Sequence, residues 1–107
     1  MVEKEMQEKV NQLSVMEHSL QQSLAQKQQF QSQLLEIESA LEELEKTDQA
    51  YKVVGNIMVL SDKDSLTKDL VKKKELNEIR IKTIEKQEDT MREKTKQLQE
   101  EVMKEMK

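Results

Sequence analysis

Apolar residues recur at intervals of three and four along the first 44 residues, the spacing that places them on one face of a helix. This stripe has thirteen core positions: Val2, Met6, Lys9, Leu13, Met16, Leu20, Ser23, Lys27, Phe30, Leu34, Ile37, Leu41 and Leu44. Ten of them are apolar; of the three exceptions, Ser23 and Lys27 fall together in the middle, and Lys9 loosens the seam again near the end of the arm. We interpret Ser23 and Lys27 as tolerated imperfections, with a flexible midpoint as the alternative. The pattern predicts a long helix over residues 1–48, ending near Lys46 to Asp48.

A second, poorer stripe follows after residue 61. Its apolar members are Leu66, Leu70, Ile81, Ile84, Met91, Leu98 and Val102. Polar residues interrupt it at Lys73 or Lys74, Asn77, Glu88 and Thr95. The start Ser61-Asp62-Lys63-Asp64 matches the Ser-x-x-Asp capping box that opens a helix. A second helix with a half-polar seam is therefore predicted over residues 62–107.

The segment between the stripes, residues 49–61, has the spacing of a β-hairpin with Gly55-Asn56 as a two-residue turn. That turn pairs Tyr51 with Leu60 and Val53 with Met58 on one face, and Lys52 with Val59 and Val54 with Ile57 on the other. Both faces are largely apolar, and an isolated two-stranded hairpin is marginal in water. We therefore predict that this hairpin assembles with other chains through Tyr51, Val53, Val54, Gly55, Ile57, Met58, Val59 and Leu60.

Folding back about the hairpin pairs residues whose numbers sum to roughly 110, which places Leu41 near Leu70 and Leu13 near Leu98. The same register sets Glu36, Glu38, Glu42, Glu43 and Glu45 opposite Lys68, Lys72, Lys73 and Lys74, so these charges are expected to pair. The predicted fold is mainly α, a single domain of two long helices in an antiparallel coiled coil joined by one hairpin. Each arm would be about 70 Å long, with both termini at the same end.

Composition excludes several classes of protein. Only 35% of residues are apolar and 37% are charged, against about 45 to 50% and about 25% in globular domains, so no ordinary core can form. The net charge of −4 argues against nucleic acid as a partner, and no apolar run approaches a membrane span or signal peptide. There is no cysteine, and His18 has no second His to share a metal. We expect a cytoplasmic protein that is not an enzyme and needs no cofactor.

Several local strings resemble the prefoldin family, and specifically its β class in the archaeal type. They are Tyr51-Lys52-x-x-Gly55-x-Ile57-x-Val59 in the hairpin, Asp62-Lys63-x-Ser65-Leu66-Thr67 at the second helix, and Lys82-Thr83-Ile84-Glu85-Lys86-Gln87-Glu88 within it. The chain has one hairpin, as β-class subunits do, and no room for the second hairpin of the α class. Gly55-Asn56 stands where many eukaryotic members have Gly-Pro.

Resemblance to prefoldin implies an ATP-independent chaperone. Hairpins from two α-class and four β-class subunits would form an intersubunit β-barrel, from which six coiled-coil arms project. Unfolded clients would be held between the arm tips and passed to a group II chaperonin.

The predicted tip, where both chain ends meet, is rich in methionine, whose flexible thioether adapts to many apolar shapes. The candidate client-binding residues are Val2, Met6, Val10, Val102, Met103 and Met106, with Met1 beside them. Some of them, Met6 and Val102 above all, would alternatively only complete the coiled-coil seam. An alternative for the whole chain is a structural coiled-coil adaptor or spacer that binds no client.

Overall fold

The computed structural model describes residues 2–106, which form two long helices separated by one hairpin. The elements in chain order are helix α1 (Val2–Glu45), strand β1 (Ala50–Val54), strand β2 (Ile57–Ser61) and helix α2 (Lys63–Met106). The predicted mainly α fold with one hairpin is confirmed. Contacts between residues divide the chain into two compact units. One contains the residues up to Gln28 together with those from Lys82 onward, and the other contains Gln29–Ile81.

The core of both units is the thin seam between the helices. Every predicted core position of α1 from Met6 to Leu44 is buried or half-buried, which confirms the first stripe. On α2, Ile81, Ile84 and Val102 are buried, as the stripe predicts. The polar residues Asn77, Glu88 and Thr95 are equally buried, which confirms the predicted half-polar seam.

The helices run antiparallel in the predicted register. Within Gln29–Ile81 the contacts are Gln33 with Asn77, Phe30 with Arg80 and Glu38 with Lys74, whose numbers sum to between 110 and 112. In the other unit, Met16 contacts Thr95 and Lys9 contacts Glu101, with sums of 111 and 110. Residues of α1 and α2 whose numbers sum to about 110 therefore lie at the same level of each unit.

Helix α1 ends at Glu45, one to three residues before the predicted end. The N–H groups of Lys46 and Thr47 bond to the carbonyls of Glu43 and Leu44, three residues back, at 3.1 and 3.4 Å. The Thr47 hydroxyl then accepts the N–H of Gln49 at 3.3 Å and donates to its carbonyl at 3.1 Å. This local turn satisfies backbone groups that a longer helix would have used, and it leads the chain into β1.

Helix α2 begins at Lys63, and its cap is Asp62 rather than the predicted Ser61. The Asp62 carboxylate accepts hydrogen bonds from the N–H of Ser65 at 3.3 Å and from its hydroxyl at 3.0 Å. The carbonyl of Asp62 accepts the N–H of Leu66 at 3.0 Å, the first bond of the helix. Ser61 cannot serve as the cap because it is the last residue of β2, paired with Ala50.

The hairpin has the predicted register, with Tyr51 opposite Leu60, Lys52 opposite Val59, Val53 opposite Met58 and Val54 opposite Ile57. Gly55 has a φ of 60° and Asn56 does not have positive φ, which is the pattern of a type II′ turn. Glycine suits this position because of the backbone angle, since an added Cβ would meet nothing within 4 Å.

Candidate functional site

The hairpin presents a continuous apolar surface on both of its faces. Tyr51, Val53, Val54, Ile57, Met58, Val59 and Leu60 each expose between 49% and 68% of their surface. Single exposed apolar residues are common on proteins, but a contiguous group of seven is typical of an interaction site. The pairing places these side chains as the sequence predicted, and what covers them remains a proposal.

The base of the hairpin packs against both helices around a groove. The groove is lined by the last turns of α1, the start of β1 and the first turns of α2, including Leu44, Ala50, Tyr51, Leu66 and Leu70. Ala50 is almost completely buried there, and the Tyr51 hydroxyl donates to the Gln49 side chain at 3.4 Å. The base of the hairpin is therefore packed against the helices, while the rest of both strands stays exposed.

The predicted tip contains both exposed and buried apolar side chains. Met103 is 63% exposed and Val10 is 47% exposed, whereas Val102 is only 9% exposed and Met6 is half-buried. Val102 and Met6 thus pack in the seam, as the alternative interpretation held, and contribute little open surface. Met1 lies outside the described residues, and the side chains of Val2 and Met106 are also outside what the structure describes.

An ion cluster ties the start of α1 to the end of α2 beside these residues. Lys9 Nζ donates to Glu105 Oε1 at 2.7 Å and lies 3.6 Å from Glu101 Oε2. The hydrogen bond to Glu105, with the charges of Glu105 and Glu101, raises the pKa of Lys9 above its ordinary value of 10.5 despite a smaller opposing effect of burial. Lys9 interrupts the apolar stripe in the sequence, yet in the structure it joins the two helices at the tip.

Lys27 has a similar role in the middle of the seam. Its Nζ lies 3.0 Å from Glu88 Oε2, and the Glu88 side chain is only 3% exposed. Glu88 Oε1 has no hydrogen-bond partner. Sequence reasoning treated the two residues as separate defects, and because their numbers sum to 115 rather than to about 110, the predicted register did not identify them as a pair. An ion pair thus occupies the seam level that looked weakest.

The acidic and basic segments near the hairpin pair much less than predicted. Across residues 2–106, one ion pair joins the glutamates of residues 36–45 to the lysines of residues 68–74, that of Glu38 with Lys74 at 4.0 Å. Glu43 instead approaches Lys46 of its own helix at 3.7 Å. Glu42, Lys68 and Lys72 are exposed and take part in none of the ion pairs among the described residues. The expected charge ladder within the chain is therefore wrong, apart from this single pair.

Within the described part of the chain there is no candidate metal site and no helix that could span a membrane. No group of three or more His, Asp or Glu residues within 2–106 could hold a metal ion. His18 lies on the surface, where its ring contacts the Gln22 side chain at 3.3 Å. Neither helix, over the residues described, has a stretch long and apolar enough to cross a membrane. What the structure offers is apolar surface at the hairpin and at the tip.

Comparison with known proteins gives consistent results. The sequence model of the family described as "Prefoldin subunit" matches residues 7–107. The prefoldin subunit beta of Archaeoglobus fulgidus is 43% identical over 93 residues, covering 84% of this chain and 80% of that protein. That of Pyrobaculum islandicum is 38% identical over 104 residues, covering 94% and 83%.

A solved structure extends the similarity to the fold. The crystal structure of the prefoldin beta subunit from Thermococcus strain KS-1 superposes with a TM-score of 0.84 at 34% identity, covering 94% of this chain and 90% of that one. Family match, sequence identity and the arrangement of two helices about one hairpin therefore agree. The chain belongs to the prefoldin family of chaperone subunits, and within it to the archaeal-type β class.

Proposed function

We propose that this chain is a holdase subunit that binds unfolded proteins at its tip without ATP and passes them to a group II chaperonin. The hairpin would assemble it with α-class subunits and further β-class copies, as two α and four β chains in a shared β-barrel. Membership of a chaperone family supports this proposal, as does the apolar hairpin. The proposed compartment is the cytoplasm.

One observation carries the client-binding part of the proposal: Val10 and Met103 are exposed at the end of the chain where α1 and α2 are joined by Lys9. Their numbers sum to 113, so they lie near the same level. An exposed methionine can repack around many client shapes, which suits a binder with little sequence preference. Each contact is weak, but several arms of one assembly would act on the same client together.

The test compares two pairs of exposed apolar residues in the same unit. Val10→Ser with Met103→Ser removes the open tip surface, while Val15→Ser with Leu24→Ser removes exposed apolar surface elsewhere on α1. Each variant is assembled with the α-class subunit of the same genome, and suppression of aggregation of a chemically denatured protein is measured. Native mass spectrometry verifies the assembly.

We expect the tip variant to need about ten times more complex for half-maximal protection, because a modest loss per arm multiplies over several arms. The control variant should protect as the wild type does. Equal protection by all three complexes would refute tip binding and favour the adaptor or spacer function.

A further inference from the structure

The hairpin has two open edges, because the sheet within residues 2–106 consists of β1 and β2. Along the outer edge of each strand, the backbone N–H and C=O groups that the hairpin leaves unpaired can bond to a strand of another molecule. Side chains of the added strand then lie directly opposite those of the edge strand, with about 4.5 to 5.5 Å between Cβ atoms. Which strand an edge accepts therefore depends on the side chains that the edge carries.

Lys52 is the charged residue of the hairpin strands. β1 reads Ala-Tyr-Lys-Val-Val and β2 reads Ile-Met-Val-Leu-Ser, so neither strand contains Asp or Glu. The Lys52 side chain is exposed, and none of the ion pairs among the described residues involves it. Within the hairpin it lies opposite Val59, and its neighbours on the same face of β1 are Ala50 and Val54. Neither strand therefore offers a group that could neutralise its charge.

Lys52 is also the middle residue of β1, and this position determines what pairing with a second copy would do. Antiparallel pairing along the whole of β1 places residue 50 of one copy opposite residue 54 of the other, and Lys52 opposite Lys52. Like charges directly opposite each other destabilise such a pair, and the diagonal neighbours Ala50 and Val54 carry no opposite charge. Pairing β1 with β2 of a second copy would instead place Lys52 opposite Val59, where its charge stays unpaired.

The outer edge of β2 carries no such charge. Pairing along the whole of β2 would place Val59 of one copy opposite Val59 of the other, and β-branched side chains pack well in this arrangement. The two edges of the hairpin therefore differ in what they accept, and Lys52 makes the difference.

We propose that the outer edge of β1 takes a strand of an unlike subunit that carries Asp or Glu opposite Lys52, and that Lys52 excludes a second copy from this edge. The inference rests on the hairpin assembly of the function proposed above, in which other strands enclose these side chains. An enclosed charge is costly unless it is paired, and neither strand of a second copy has a carboxylate to pair with it. Lysine on an edge strand is also a common means of preventing self-pairing.

A mixing experiment on the full chain, without any other subunit, tests the exclusion of a second copy. The wild type alone opposes two lysines across β1 and Lys52→Glu alone opposes two glutamates, whereas their equimolar mixture opposes Lys52 of one chain to glutamate of the other. We expect the mixture to associate about three to ten times more tightly than either chain alone, as measured by sedimentation. The gain should shrink in about 1 M salt, where the Debye length is about 3 Å.

Pairing through β2 is common to all three samples, so it cannot produce a gain on mixing. Circular dichroism verifies that helicity is unchanged. Lys68→Glu, the same change at an exposed lysine of α2, is the matched control and should give no gain when mixed with the wild type. Equal association of the separate and mixed samples of Lys52→Glu would overturn the exclusion.

The α-class subunit of the same genome serves as the unlike partner in a second measurement. Lys52→Glu opposes two carboxylates at the enclosed edge and should weaken the complex at least about tenfold in native mass spectrometry and sedimentation. Lys52→Arg keeps the charge and should assemble as the wild type does, as should Lys68→Glu. Normal assembly of Lys52→Glu would overturn the carboxylate partner.

Val54→Lys separates this inference from the function on which it rests. If Val54→Lys disperses the complex while Lys52→Glu leaves it intact, hairpin assembly stands and only the role of Lys52 fails. If neither substitution affects the complex, the hairpin is not the assembly interface and both proposals fail.

Discussion

Lys27 and Glu88 show how a residue that looks unfavourable in the sequence acquires a partner in the fold. Lys27 stands in the apolar stripe of α1 and Glu88 in that of α2, and the antiparallel register brings them to 3.0 Å. Removing both charges from water is costly, and Glu88 Oε1 remains without a partner. Such a pair contributes little net stability but penalises any register that separates it.

This balance predicts different effects for single and double substitutions. Lys27→Met leaves the Glu88 carboxylate buried without its partner and should lower the free energy of unfolding by about 3 to 5 kcal/mol. Lys27→Met with Glu88→Leu should restore or exceed wild-type stability, because apolar side chains then fill the seam. Urea unfolding followed by circular dichroism measures both. Lys46→Met, which removes a fully exposed pair with Glu43, should change stability by less than about 0.5 kcal/mol, and a similarly small effect of Lys27→Met would contradict the argument.

The hydrogen bond between Lys9 and Glu105 predicts that the stability of the fold falls as the pH rises into the alkaline range. Its pKa is raised by the hydrogen bond to Glu105, so the folded state holds this proton more tightly than the unfolded state does. The stabilisation is complete below the ordinary value of 10.5 and is lost as the pH rises through the raised pKa. The melting temperature of the wild type should therefore exceed that of Lys9→Gln near neutral pH, and the difference should vanish in strongly alkaline solution. Lys4→Gln, at an exposed lysine of the same helix, should show no such difference, and a gap for Lys9→Gln that persists in alkali would exclude this ion cluster as its cause.

At the scale of elements, the helices meet along a narrow seam, which near the hairpin includes Leu44 and Leu70. Both line the groove at the base of the hairpin, where Leu44 is buried and Leu70 half-buried. The periodicity of the sequence predicted both as core residues. The half-polar seam of α2 was also predicted, but periodicity marks a face of a helix and says nothing of which polar residues find partners there.

A double-mutant cycle tests this packing. Leu44→Ala and Leu70→Ala should each lower the free energy of unfolding by about 2 kcal/mol or more, and their combined effect should be non-additive by about 0.5 kcal/mol or more because they share one groove. Leu44→Ala combined with Ile81→Ala serves as the control, since Ile81 lies several helical turns away in the same unit. That pair should be additive within about 0.5 kcal/mol. Additive losses for Leu44 and Leu70 would be inconsistent with a shared core.

At the scale of the whole molecule, the exposed hairpin cannot be explained by the single chain. Seven neighbouring apolar side chains face water, although the seam of each unit is already complete without them. Prefoldin subunits belong to oligomeric complexes, and in the function proposed above the hairpins of other subunits would cover this surface.

The corresponding prediction places one charge on the hairpin. Val54→Lys should weaken assembly with the α-class subunit by at least about a hundredfold, because burying an unpaired ammonium group costs several kcal/mol. Helicity should stay unchanged, since Val54 is exposed in the single chain. Val15→Lys, the same substitution at another exposed valine, is the control and should assemble normally. Native mass spectrometry distinguishes the two, and normal assembly of Val54→Lys would refute the hairpin as the assembly interface.

The sequence alone determined the elements, because helical periodicity, the absence of proline and a glycine at the turn are local properties of the chain. It also determined the register, since folding back about the hairpin sets the sum of facing residue numbers near 110, where the apolar positions of the two stripes coincide. Tertiary structure decided which polar residues are partners: Lys27 pairs with Glu88 and Lys9 with Glu105, while Glu42 and Lys68 form no ion pair among the described residues. Such choices depend on which side of each helix a long side chain can reach, and that is fixed only when two helices are packed against each other.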